Sequence, residues 1–92
     1  MSGLEVMMLH MADFPSMAAS GLLRLLQREP LSYRVARSRG SHRILIATGM
    51  PTLLFAFHGS RTVPGWMVRS ILTQQVGLSD AEAIDLLKGG QP

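Results

Sequence analysis

The densest chemistry in the chain lies in seven consecutive residues, Arg37-Ser38-Arg39-Gly40-Ser41-His42-Arg43, where three arginines surround a single histidine. An imidazole with its ordinary pKa near ~6.5 gives and takes protons at neutral pH. Guanidinium groups grip phosphate oxygens through paired donors and offset charge that develops on them. Gly40 permits a tight backbone turn close to a ligand. RNA is a substrate that asks for little more, because its own 2′-hydroxyl attacks the neighbouring phosphate. The residues alone leave a plainer alternative open, in which His42 is a surface side chain at the start of a strand.

Other residues are weaker candidates. His58 either approaches His42 to complete an acid–base pair or only anchors a strand end. Arg61 and Arg69 are further cations that can reach phosphate, and a solvated helix face serves equally well for Arg69. Tyr33 and Trp66 can stack on bases, although core packing is the expectation for both. Three scattered histidines without cysteine or neighbouring acids lack metal-ligand spacing, so neither a metal site nor a cofactor is expected.

The charge is unevenly spread. Residues 21–75 carry eight arginines and one acid, Glu29, while both ends of the chain are mildly acidic. A cationic centre made only of arginine suits a nucleic-acid partner, or else a solubilising surface. The 92 residues suit a single domain, and an apolar fraction of 47% argues against disorder. With no cysteine there is no disulfide framework, which fits a reducing cytoplasm. No apolar run is long enough to span a bilayer, and the N-terminus lacks the basic residues of a signal peptide. Met1, Met7, Met8, Met11 and Met17 are all possible starts. Residues 1–16 are therefore read as an extension of uncertain status, 17–88 as the domain and 89–92 as a tail.

Positioning the arginine–histidine cluster requires flanking elements. Ala18 to Arg28 is rich in helix formers, with Ala18, Leu22, Leu25 and Leu26 on one side, Ser16 or Ser20 as a cap and Pro30 as a stop. Tyr33–Ser38, His42–Thr48 and Thr52–Phe57 read as three strands, with Gly49-Met50-Pro51 a turn and 58–64 a loop. Gly65–Val76 returns to helical spacing, and Ser79-Asp80-Ala81-Glu82 is a capping box opening a last short helix. The expected fold class is α+β, a three-stranded antiparallel meander with helices packed on one face. Ile44-Leu45-Ile46-Ala47 and Leu53 to Phe57 run without polar alternation, so the open face is expected to be apolar too. A partner or a second copy would cover it, making a homodimer one option; the N-terminal extension folding over it is the competing one.

The stretch from Met17 onward resembles the HicA-type, or YcfA-like, mRNA interferase toxins. The resemblance rests on Gly21-Leu22-Leu23-Arg24-Leu25-Leu26 in the first helix, on Gly40-Ser41-His42, and on Pro64-Gly65-Trp66-Met67-Val68-Arg69-Ser70-Ile71-Leu72-Thr73-Gln74-Gln75-Val76-Gly77-Leu78-Ser79, in the family's order. The family pattern for that last stretch is G-T-L-R-S-I-L-K-Q-x-G-L-S. The resemblance implies a double-stranded-RNA-binding-like α-β-β-β-α fold, mRNA cleavage dependent on the histidine of Gly-Ser-His, and a HicB antitoxin that blocks the site. By it, His42 is the catalytic residue, with Gly40 and Ser41 as its positioning turn. Arg37, Arg39 and Arg43 are expected at the RNA phosphates on physical grounds. The chain departs from the pattern where Leu31-Ser32-Tyr33 replaces Gly-Trp before the first strand and Phe55-Ala56-Phe57-His58 replaces Val-Pro-x-His. The implied function is a cytoplasmic type II toxin acting as a metal-independent endoribonuclease. A non-catalytic RNA-binding module, or a degenerate toxin that only binds proteins, are the alternatives.

Overall fold

A computed structural model of the chain describes residues 14–89. Most of the expected N-terminal extension, including His10, and most of the C-terminal tail lie outside the described residues. The element order is β1 (Met17–Ala18), α1 (Ala19–Gln27), β2 (Arg34–Arg39), β3 (His42–Ile46), β4 (Leu53–Phe55), β5 (Thr62–Val63), α2 (Gly65–Ser70, continued by a π-helical turn over Ile71–Gln75) and α3 (Asp80–Leu87). The α+β architecture is the expected one. Strands β2, β3 and β4 form an antiparallel sheet in that order.

The core explains the layering. Leu22, Leu25 and Leu26 recur along one side of α1 and are buried, as are Val68, Ile71, Leu72 and Val76 of the second helix and Ala83, Ile84 and Leu86 of α3. From the sheet, Leu45, Leu53 and Phe55 join the same cluster. Leu45 is opposite Leu53 in the register, so both point to one face, where the helices lie. Tyr33, just before β2, is buried and its hydroxyl donates to the Pro51 carbonyl at 2.7 Å. That bond ties the start of β2 to the turn between β3 and β4, and it fixes Tyr33 as a core residue.

The helix termini differ in instructive ways from the expectations. Neither Ser16 nor Ser20 caps α1: Ala18 is the cap residue and contributes no side-chain bond. Carbonyls of the 58–61 loop do the work instead, with Ala19 N–H donating to Arg61 O at 2.8 Å and Ser20 N–H to Gly59 O at 3.0 Å. This is possible because β1 and β5 pair, Met17 with Val63 and Ala18 with Thr62. In this two-stranded ribbon, β5 falls where the sequence reads as loop and Ala18 of β1 where it reads as helix, since two-residue strands leave no periodicity to detect. The capping box on α3 forms as expected, with Ser79 Oγ accepting from Glu82 N–H and Glu82 Oε1 from Ser79 N–H.

The helix read as Gly65–Val76 is not uniformly α. Val76 N–H donates to Ile71 O, five residues back, at 2.9 Å. A π-turn of this kind accommodates one residue more than an α-helix of the same length. Four residues separate Leu72 from Gly77 here, against three in the pattern the segment resembles, and the π-turn falls on that stretch. Gly65 opens the helix because no side chain fits: a Cβ there would collide with the Phe14 carbonyl.

Candidate functional site

The hairpin that carries His42 follows from its sequence. Arg39 pairs with His42, leaving Gly40-Ser41 as a two-residue loop, and Gly40 has φ 61°. A glycine at the first loop position is what a type II′ hairpin turn requires. Nothing lies within 4 Å of a Cβ built on Gly40, so its backbone angle alone selects glycine. The turn delivers His42 to the first position of β3, exposed to solvent.

Strict alternation along β2 would put Tyr33, Val35, Arg37 and Arg39 on one face. Tyr33 is in the core, and Val35 pairs with the buried Leu45, so the two arginines would then point toward the helices. They do not, because the register shifts between Val35 and Arg37: Val35 pairs with Leu45, but Arg37 pairs with Ile44. Ala36 is the extra residue of a β-bulge, and a bulge reverses the phase of every residue after it. Arg34, Arg37 and Arg39 consequently line up on the open face, opposite Ile46, Ile44 and His42 in turn.

On that face a cavity of about 420 Å³ is lined by Arg37, Ser38, Arg39, His42 and Ile44. An exposed imidazole thus shares a hollow with two guanidinium groups, and among the described residues no hydrogen bond or ion pair occupies any of these three side chains. Arg34 extends the cationic column beyond them. It is a member that sequence reasoning missed, because only the bulge places it in line with Arg37 and Arg39.

The remaining candidates are not all brought here. Arg43 is in register with the buried Phe55 and with Ser38, which turns its side chain toward the helix-covered face. Gly40 and Ser41 form the turn and do not line the cavity. His58 and Arg61 sit in the exposed loop whose backbone receives the α1 amino terminus, and neither lines the cavity. Arg69 is committed elsewhere: its Nε and Nη2 bind Asp80 Oδ1 and Oδ2 at 3.0 and 3.1 Å, clamping α2 to the start of α3. Trp66 corrects the core expectation outright, with 64% of its surface exposed. The open face also differs from the apolar surface expected. It alternates a column of arginines with half-buried Ile44 and Ile46 and exposed Leu54.

Among the described residues, no helix is long and apolar enough to cross a membrane. Comparison with curated proteins and with solved structures gave no match. A family model described as the HicA toxin of bacterial toxin–antitoxin systems matches residues 20–78, a stretch that holds all of α1 but its first residue, the whole three-stranded sheet, the Arg37–His42 cavity and the second helix. On that match the chain belongs to the HicA toxin family.

Proposed function

We propose that this toxin is a metal-independent endoribonuclease that cleaves mRNA, with His42 as its catalytic residue. The observation that carries the reading is the exposed His42 ring sharing one cavity with Arg37 and Arg39. In the reaction, the neutral imidazole takes the proton of a ribose 2′-hydroxyl. The 2′-oxygen forms a bond to the adjacent phosphorus and the bond to the 5′-oxygen breaks. Water or the newly formed imidazolium supplies the proton to that leaving oxygen. The products are a 2′,3′-cyclic phosphate and a 5′-hydroxyl. Arg37 and Arg39 hold the phosphate and offset the extra charge of the phosphorane, the kind of stabilisation worth ~3 kcal/mol per well-placed donor.

The Gly40-Ser41 turn sets where the ring stands, and Arg34 leads the RNA backbone along β2. The same open face suits a HicB-type antitoxin, whose binding would cover the cavity and its apolar Ile44, Ile46 and Leu54 border. A cytoplasmic location follows from an mRNA substrate.

Induced expression provides the test in cells. Wild-type chain should arrest growth and His42→Ala should not, with both accumulating to equal levels as folded protein. Equal arrest by the two would refute a catalytic His42. Arrest by neither, with RNA affinity retained, would favour a binding module that has lost its chemistry.

A further inference from the structure

A second hollow, of about 260 Å³, lies between the edge strand β4 and the second helix, bordered by Leu54, Phe57, Trp66, Met67, Ser70 and Gln75 among others. Trp66 stands largely in solvent at its mouth. A tryptophan left exposed on a small domain is unusual enough to mark a recognition surface. The chemistry of the border is mixed: the Trp66 ring and apolar walls stand together with the amide of Gln75 and the hydroxyl of Ser70, which donates to Gln74 Oε1 at 3.3 Å and keeps its oxygen as an acceptor. Gln75 is the last residue of the π-turn, a local departure from the α-helix of a kind frequent at functional sites.

One cross-strand pair links this hollow to the first. Ile44 lines the His42 cavity, and Leu54, its directly paired neighbour on β4, borders the second. Paired residues stand about 5 Å apart on the same face. A chain of phosphates held along β2 therefore has a neighbouring place for a base on the far side of β4.

We propose that this hollow is a nucleobase subsite of the same RNA-binding surface, in which a base flanking the cleaved phosphate stacks on Trp66 and presents its edge to Ser70 and Gln75. The assignment rests on the ribonuclease reading above. Stacking on aromatic rings together with hydrogen bonds from amides and hydroxyls to base edges is how unpaired RNA is recognised. A space of about 260 Å³ suits a single base. The occupant is thus a single-stranded segment with at least one unstacked base.

Trp66 is the only tryptophan in the chain, so its fluorescence reports on this hollow alone. The experiment titrates the full-length His42→Ala protein, which leaves the RNA intact, with a fluorescein-labelled single-stranded RNA oligonucleotide. Anisotropy follows binding and Trp66 emission follows occupancy. Saturable quenching that parallels the anisotropy is expected, and an oligonucleotide of abasic nucleotides should bind without quenching. Trp66→Ala should weaken RNA binding roughly 5- to 150-fold, the range that base–aromatic stacking shows on alanine substitution, and Trp66→Phe should restore most of it. Because Trp66 lies outside the core, these replacements spare the fold.

RNA binding with unchanged Trp66 emission would overturn the subsite and leave the ribonuclease reading standing. Binding and quenching without cleavage by the wild-type chain would do the reverse. No RNA binding at all would remove both. If Trp66→Ala instead abolishes complex formation with the antitoxin while RNA leaves the emission unmoved, the hollow is a protein-docking surface and the proposal is wrong.

Discussion

Neutralising phosphates with arginines makes RNA affinity fall with salt, and the register of β2 predicts which arginines count. For a single strand, the slope of log affinity against log salt is about −0.7 per phosphate neutralised. Arg34, Arg37 and Arg39 share the open face with His42, so together they contribute a slope of about −2.1. Raising salt from about 50 to about 200 mM should then cost these contacts roughly 18-fold in affinity. Removing any one as Arg→Ala should bring the slope down by ~0.7 and that loss to roughly 7-fold. Arg43→Ala should leave the slope unchanged, because pairing with Phe55 turns that side chain to the other face. The two expectations separate cleanly: charge content treats all four residues alike, whereas the bulge at Ala36 divides them three to one. Fluorescence anisotropy of a labelled oligonucleotide across a salt series, with each variant in the His42→Ala background, measures the slopes. A slope that drops as much for Arg43→Ala as for Arg37→Ala would refute the register argument.

Three further outcomes test the fold that holds the site. Gly65→Ala would ordinarily stabilise a helix by up to ~1 kcal/mol, but here the new Cβ meets the Phe14 carbonyl, so urea denaturation should show a loss of about 1–3 kcal/mol, and a gain would contradict the packing. Tyr33→Phe should cost ~1 kcal/mol at neutral pH by removing the bond to Pro51. Burial raises the Tyr33 pKa in the folded protein above the ordinary 10.0, so the fold favours the neutral phenol and wild-type stability falls as pH rises past that value. The phenylalanine variant should lack this alkaline fall, and parallel pH curves for the two proteins would count against it. Arg69→Ala should lower thermal stability by breaking the bidentate clamp on Asp80, by about 1 kcal/mol, while leaving the RNA salt slope intact. A changed slope with unchanged melting would reverse that assignment.

The order of elements was readable because each local signal agreed with the fold: leucines at helical spacing in α1, glycine at the β2–β3 turn, and a Ser79–Glu82 box at α3. The Gly-Ser-His tripeptide points to the catalytic candidate through the family resemblance, and the two-residue hairpin that needs Gly40 leaves His42 exposed at the strand start. What escaped was whatever depends on one residue too many. Ala36 adds nothing to a pattern of alternation, yet it decides whether Arg37 and Arg39 meet His42 or the helices. The extra residue between Leu72 and Gly77 likewise becomes a π-turn, which periodicity alone does not reveal. Residue type alone suggests the core for Trp66, whereas its exposure follows from its place on the outer side of the helix start. The α1 amino terminus is satisfied by carbonyls some forty residues away in sequence, a non-local solution that no reading of neighbouring serines can supply.

The most direct measurement is cleavage of an mRNA by the purified chain in EDTA, comparing wild type with His42→Ala after circular dichroism has shown equal folding. Metal-free cutting that leaves 2′,3′-cyclic phosphate ends, and vanishes in the variant, is the predicted result. Undiminished cutting by His42→Ala, or intact RNA with the wild-type protein, would contradict the assignment of this histidine.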